Sequence, residues 1–398
     1  MLRKSYGLIA GVVAVAGVLV WGGRTVRADR GSDGHDEGGR LKTVFVIALE
    51  NHNWTQPASQ TSPQPVFMNP AAPFINSLVN GTSGISDQVA YATNYVNAAP
   101  GDHPSEPNYI WAEAGANFGV ANDHNPYHAD CSPDTVQTTD QHLSAFLTKA
   151  HKSWRSYQED ADVDLATNAV LPPSSWTVPL FSVSGLFTAP GAINAYNYSN
   201  QYNYAAKHNP MVFFTDTSGG CDASPSNPMR MHYAPLQQLA LDLQSDTVAD
   251  YNWITPDQNN DMHNRLANGY GGPAGAPNTN DAANIAEGDN FVARMVPLIM
   301  ASKAYQDGGV IVLWWDESEG GDTPDHTMPF IVISKDVHRN VNGLPFASAV
   351  EYSHSSTLRT MQEIFRVDPY RGYPWLGAAA TANDLSALFR PGAISGRW

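Results

Sequence analysis

Two short apolar runs constrain this chain more than anything else in it. LKTVFVIAL, residues 41–49, starts abruptly after a polar stretch, and VIVLWW covers residues 310–315. Neither alternates with polar residues, and both are rich in Val, Ile or aromatic side chains. Such a run is a strand covered on both faces, the situation of an interior strand in a mainly parallel sheet. Both end in carboxylates, Glu50-Asn51 after the first and Asp316-Glu317 after the second. In open α/β sheets the carboxyl edge of the strands is where ligands bind.

The remaining elements fit around these two. PMVFFT (210–215), DYNWIT (250–255) and FIVIS (330–334) read as further strands. TTDQHLSAFLTKAHKSW (138–154) reads as a helix whose Thr138 and Gln141 make a capping box. EGDNFVARMVPLIMAS (287–302) places Phe291, Met295 and Ile299 at helical spacing, with Pro297 as a kink, and HSSTLRTMQEIF (354–365) is another helix. Strands alternating with helices predict an α/β fold with a mainly parallel sheet. No internal repeat or linker divides residues 41–398, so they are expected to form one domain.

The N-terminus has the pattern of a secretory signal over residues 1–28. Arg3 and Lys4 precede an apolar run from Leu8 to Trp21, and Ala28 closes a Val-x-Ala cleavage motif. The alternative is an uncleaved membrane anchor. Residues 29–40 read as a flexible polar linker. The expected location is therefore periplasmic or extracellular, with no stable membrane insertion once the signal is removed. The net charge of -16 becomes -20 when the four cations of residues 1–28 are lost. A surface so acidic repels nucleic acid and anionic lipid. It accepts a phosphate ester only where cations reverse the local field. The two cysteines, Cys131 and Cys221, are expected to pair in an exported protein; free buried thiols are the alternative.

Carboxylates meeting on one sheet edge repel unless a cation neutralises them. Glu50, Asn51, Asp316 and Glu317 form an all-oxygen set suited to a hard divalent ion, with Mg, Ca, Mn and Zn all compatible. PDQNNDMHN, after the 250–255 strand, offers Asp261 and His263 as further ligands or, for His263, a proton donor; a solvated turn is the alternative. His232, His326 and His354 follow strands or open helices, where capping or packing is the plainer role. The chain holds no GxGxxG, P-loop or GxSxG motif. Ser105, in DHPSEPNY, is either a helix N-cap or a nucleophile at the positive end of that helix. Coordination to a cation would let it attack without a histidine base, with Asn108 helping to hold the transferred oxygens.

ENHNW, HPSEPNY, TPDQNNDMH, GDNFVARMVPLIMAS, WWDESEGGDTPDH and HSSTLRTMQEIF occur in that order. Together they resemble the phosphoesterase family of bacterial acid phosphatases and non-specific phospholipases C, within the alkaline phosphatase superfamily. The resemblance spans residues 42–370. It implies an alkaline-phosphatase-like three-layer α/β/α sandwich and a metal held by Glu50, Asn51, Asp316 and Glu317. It also implies that Ser105 is nucleophile and metal ligand, and that His263 contacts the phosphate. His326 and His354 carry over less closely. Related sulfatases follow their nucleophile with x-Pro-x-Arg; neither Ser105 nor Cys131 has that Arg. Phospholipase C members often carry an extra C-terminal region, and this chain closes soon after its last helix, which favours a phosphomonoesterase. The expected substrate is a phosphate ester. A phospholipase C and a non-catalytic, cation-stabilised binding protein are the alternatives.

Overall fold

The computed structural model describes residues 39–98, 103–267, 280–340 and 342–394. The signal or anchor over residues 1–28 and nearly all of the linker lie outside the described residues. The central sheet has eight strands: β1 (Thr43–Leu49), β2 (Val89–Ala92), β3 (Trp154–Gln158), β4 (Tyr233–Pro235), β5 (Tyr251–Thr255), β6 (Gly309–Trp315), β7 (Phe330–Ser334) and β8 (Phe346–Ser348). Their spatial order is β8-β2-β7-β6-β1-β5-β3-β4. Five pairings are parallel; β7 runs antiparallel to both β6 and β2. The two long apolar runs are neighbours at the centre. Val44 pairs with Val310, and Leu49 with Trp315, so both strands end at the same level. Their acids are juxtaposed by register alone.

Every residue of β6 is buried, and so is β1 beyond Thr43. Both faces of the sheet are therefore covered, as a parallel sheet requires. Helix α2 (Ser105–Ala114) packs with α3 (Leu143–Lys149) and with α6 (His354–Phe365), whose His354 and Phe365 meet Trp314 and Tyr251 of the sheet. Helix α1 (Pro73–Asn80) pairs with α5 (Asn280–Met300), while α4 (Gln237–Ser245) follows β4. The fold is the expected three-layer α/β/α sandwich with a mainly parallel sheet. Helix α2 stops at Gly115, which adopts φ +68° and donates its N–H to Trp111 O. A β-carbon there would lie 2.4 Å from Leu376 O, so no side chain fits.

Two local readings are corrected. PMVFFT is not a strand: Pro210–Phe213 form a 3-10 turn and Thr215–Ser218 a short helix. Proline has no N–H for a ladder and sets φ for a first helical turn, which outweighs the apolar content. The 138–154 helix is only Leu143–Lys149, and Trp154 already belongs to β3. His151 turns the chain with φ +56°. Cys131 and Cys221 are joined in a disulfide that closes 90 residues.

Candidate active site

The first turn of α2 lies against the end of β1. Ser105 is the first residue of the helix rather than its cap; that place is taken by Pro104. Its hydroxyl therefore does not cap the helix and donates to Glu50 Oε2 at 2.9 Å. One turn on, the same helix face presents Tyr109, whose hydroxyl donates to Glu50 Oε1 at 2.6 Å. Asn108 turns aside to Glu317 Oε2, 3.3 Å from its Nδ2. Asn51, in the left-handed region at φ +48°, bends the chain after β1 and directs its N–H to Asp316 Oδ1, 3.1 Å away.

Glu50, Asp261, Asp316 and Glu317 thus converge, none more than 4% exposed. Glu50 N–H donates to Asp261 O at 2.8 Å, bringing the loop after β5 to the cluster. Burial pushes the carboxyls of Glu50, Asp261 and Asp316 well above their ordinary range, and mutual repulsion adds to it. Glu317 is raised too, by burial, with His103 opposing. His103 contacts Glu317 Oε2 through Nδ1, and that bond holds its pKa up at about 9.

The structure adds groups that the sequence reading did not single out. His208 is buried, with Nε2 3.2 Å from Glu50 Oε1 and Nδ1 3.0 Å from Asp261 Oδ2. These are ion-pair distances, yet neither nitrogen is aligned for a hydrogen bond. Burial, with Lys207 beside it, keeps the ring neutral by depressing its pKa well below normal. Lys207 Nζ reaches Asp123 Oδ2 at 2.9 Å and His263 Nε2 at 3.2 Å. An ammonium can only donate, so His263 Nε2 accepts and its proton sits on Nδ1, facing Asn264 Oδ1 at 2.9 Å. Burial and Lys207 lower His263 to about 4.

The residues fit a bound cation. Buried Asn51 Oδ1, Asp316 Oδ2, Asp261 Oδ2 and both His208 nitrogens have no hydrogen-bond partner in the protein. Ligand atoms of Glu50, His208 and His263 all lie within 4.8 Å of one another. Unpaired acceptors at such depth are costly, and a divalent ion would satisfy the carboxylate and amide oxygens and one His208 nitrogen while offsetting the excess negative charge. Glu50 is common to the oxygen-rich side of this pocket and to its imidazole side.

The other histidines are placed elsewhere. His232 stacks on Trp154 at 4.1 Å, at the start of β3 and away from the carboxyl edge. His326 bonds Thr323 and Gln60 and lines an adjoining polar cleft of about 860 Å³ with Asn97, Ser318 and Asp322. His354 backs the site: its Nε2 contacts Asp316 O and its Nδ1 lies 3.0 Å from Tyr95 OH. Cys131, being disulfide-bonded, is not available as a sulfatase-type nucleophile.

The chain matches the phosphoesterase family over residues 38–368. It belongs to the phosphoesterase family. A phosphate-repressible acid phosphatase of Penicillium chrysogenum is 24% identical over 256 residues, 64% of this chain and 48% of that protein. The chain thus spans about half the length of this curated relative. Among solved structures, a Vibrio parahaemolyticus protein of the alkaline phosphatase superfamily aligns over 88% of this chain and 71% of its own, at 11% identity and a TM-score of 0.45. The Listeria monocytogenes lipoteichoic acid synthase LtaP aligns over 86% and 76%, at 10% identity and a TM-score of 0.44.

Proposed function

We propose that this member of the phosphoesterase family is an exported, metal-dependent phosphoric-ester hydrolase of the acid phosphatase kind, acting on phosphomonoesters through a phosphoserine at residue 105. The observation that carries this reading is the hydroxyl of Ser105, at the positive end of α2, donating to one member of a buried four-carboxylate cluster. A divalent cation held by Glu50, Asn51, Asp316 and Glu317, with His208 and His263 on the other side, would supply Lewis acidity and lower the hydroxyl's pKa.

The chain's own groups do the rest. Glu50 fixes the orientation of Ser105 Oγ, and Tyr109 fixes Glu50 in turn. The Ser105 Oγ–P bond forms as the hydroxyl proton passes toward Glu50 Oε2, which Oγ already faces at 2.9 Å, and the ester P–O bond breaks; the departing alcohol oxygen takes up a proton from solvent. Water then attacks the same phosphorus, the Oγ–P bond breaks, and the serine oxygen regains a proton. The positive end of α2, the Asn108 side chain and Lys207 would face the phosphoryl oxygens. The polar cleft beside Glu317 receives the alcohol half of the ester.

Ser105→Ala should retain the wild-type melting curve and lose p-nitrophenyl phosphate hydrolysis by three or more orders of magnitude; near-normal turnover would refute the nucleophile. Exhaustive chelation should likewise remove activity, and a divalent ion should restore it. Turnover of phosphatidylcholine above that of the monoester would make the enzyme a phospholipase C, and no turnover of either would favour a binding protein. Export is checked by sequencing the N-terminus of the secreted protein, expected at Asp29.

A further inference from the structure

We propose that His124, His128 and Asp134 form a second divalent-cation site, on the surface loop 122–136, with the imidazole–carboxylate chemistry that suits zinc. The site shares no residue with the catalytic cluster. His124 Nδ1 lies 3.1 Å and His128 Nδ1 3.3 Å from the same atom, Asp134 Oδ2. Donors around a tetrahedral zinc at roughly 2.0–2.1 Å are separated by about 3.3 Å. Two of the three edges of such a site are therefore already set. The third edge, between the two rings, is still open, since among the described residues only Glu50, His208 and His263 already gather ligand atoms within 4.8 Å of one another. The rings are 58% and 55% exposed, which leaves them room to turn toward each other. Water would complete the shell.

The loop is built to hold this arrangement. Asp134 N–H and Val136 N–H both donate to Pro126 O, at 3.1 and 3.2 Å, and Tyr127 bridges Pro133. These bonds bring the arm carrying His124 and His128 against the arm carrying Asp134. The tip is fastened by the Cys131–Cys221 disulfide. The backbone is thus braced, which lowers the ordering cost of binding to that of turning the two rings. The residue before His124 is Asp123, whose carboxylate accepts from Glu106 N at 3.1 Å in the first turn of α2 and from Lys207 at 2.9 Å. A cation here would stiffen the segment that positions Lys207.

Chelator-stripped wild type and His124→Ala/His128→Ala should be titrated with zinc by calorimetry. The wild type should take up one more equivalent than the double variant, and zinc should raise its melting temperature by a few degrees more. Asp134→Asn, which keeps both rings, should weaken that extra equivalent at least tenfold. Ser105→Ala should retain it, so that loss of hydrolysis and loss of this site are separate outcomes. Equal stoichiometry in wild type and double variant, or undiminished affinity in Asp134→Asn, would overturn the proposal.

Discussion

Glu50 depends on two hydroxyls from one helix face, and they are separable. Tyr109→Phe removes only the 2.6 Å bond to Oε1, since the ring keeps its packing on His208 and Trp253. A hydrogen bond to a charged group contributes about 1.5–3 kcal/mol. Hydrolysis should fall roughly ten- to hundredfold and the melting temperature by several degrees, measured by steady-state kinetics and calorimetry on the same samples. The positions legible in sequence at this scale, Glu50, Asn51, Asp316 and Glu317, follow central strands whose ends are easy to locate. Lys207 and His208 were not legible. They sit in a 3-10 turn, Ala206–His208, between segments with no periodicity, and only the tertiary fold carries that turn to Glu50.

At the scale of elements, α2 is held at both ends. Its last turn carries Glu113, which binds His142 Nδ1 at 3.1 Å and the Ser144 N–H at 2.9 Å. His142 Nε2 reaches Asp216 at 2.9 Å, and the ring stacks on Phe214. Burial opposes charging this imidazole, but the two carboxylates prevail and its pKa rises to about 8. A pKa raised above the unfolded value stabilises the protein below about 6.5, and that contribution disappears as pH rises through 8. Its size is about 2 kcal/mol. The stability difference between wild type and His142→Gln should shrink accordingly from pH 6 to pH 9; a constant difference would count against the clamp. The same residue explains why the helix over 138–154 was overestimated. Thr138 and Gln141 satisfy a local capping pattern, whereas His142, anchored from outside the segment, sets where α3 begins.

Across the whole molecule, many buried acids favour their neutral forms. Burial raises Glu159 to about 8, Asp160 and Asp289 to about 7, and Glu287 to about 9. Each stabilises the fold when protonated and ceases to do so as pH climbs through its folded value. The buried neutral histidines His263 and His354, lowered to about 4, act in the opposite sense but only below about 6.5. In the presence of chelator the melting temperature should therefore decline from pH 6.5 to pH 9, which scanning fluorimetry across that range would show. Strands β1, β5, β6 and β7 were plain from sequence because a strand buried on both faces carries a mostly apolar run, whereas the four-residue β2 and the largely polar β3, WRSYQ, gave no such run. The short edge strands β4 and β8, three residues each, lack the length for such a signal.

The return of β7 antiparallel to β6 makes residues 316–329 a closed excursion from the sheet. Asp316 N–H is tied to Leu49 O at 3.2 Å at one end, and Thr327 pairs with Thr55 at the other. Chain inserted or deleted between Glu319 and Asp325 would leave both moorings in place. Descendants of such a protein can thus lengthen or recompose that excursion, and with it the wall of the cleft, while the strand end that carries Asp316 stays fixed; Asp322, which reaches His103 at 3.3 Å, is tied back through that ring to Glu317.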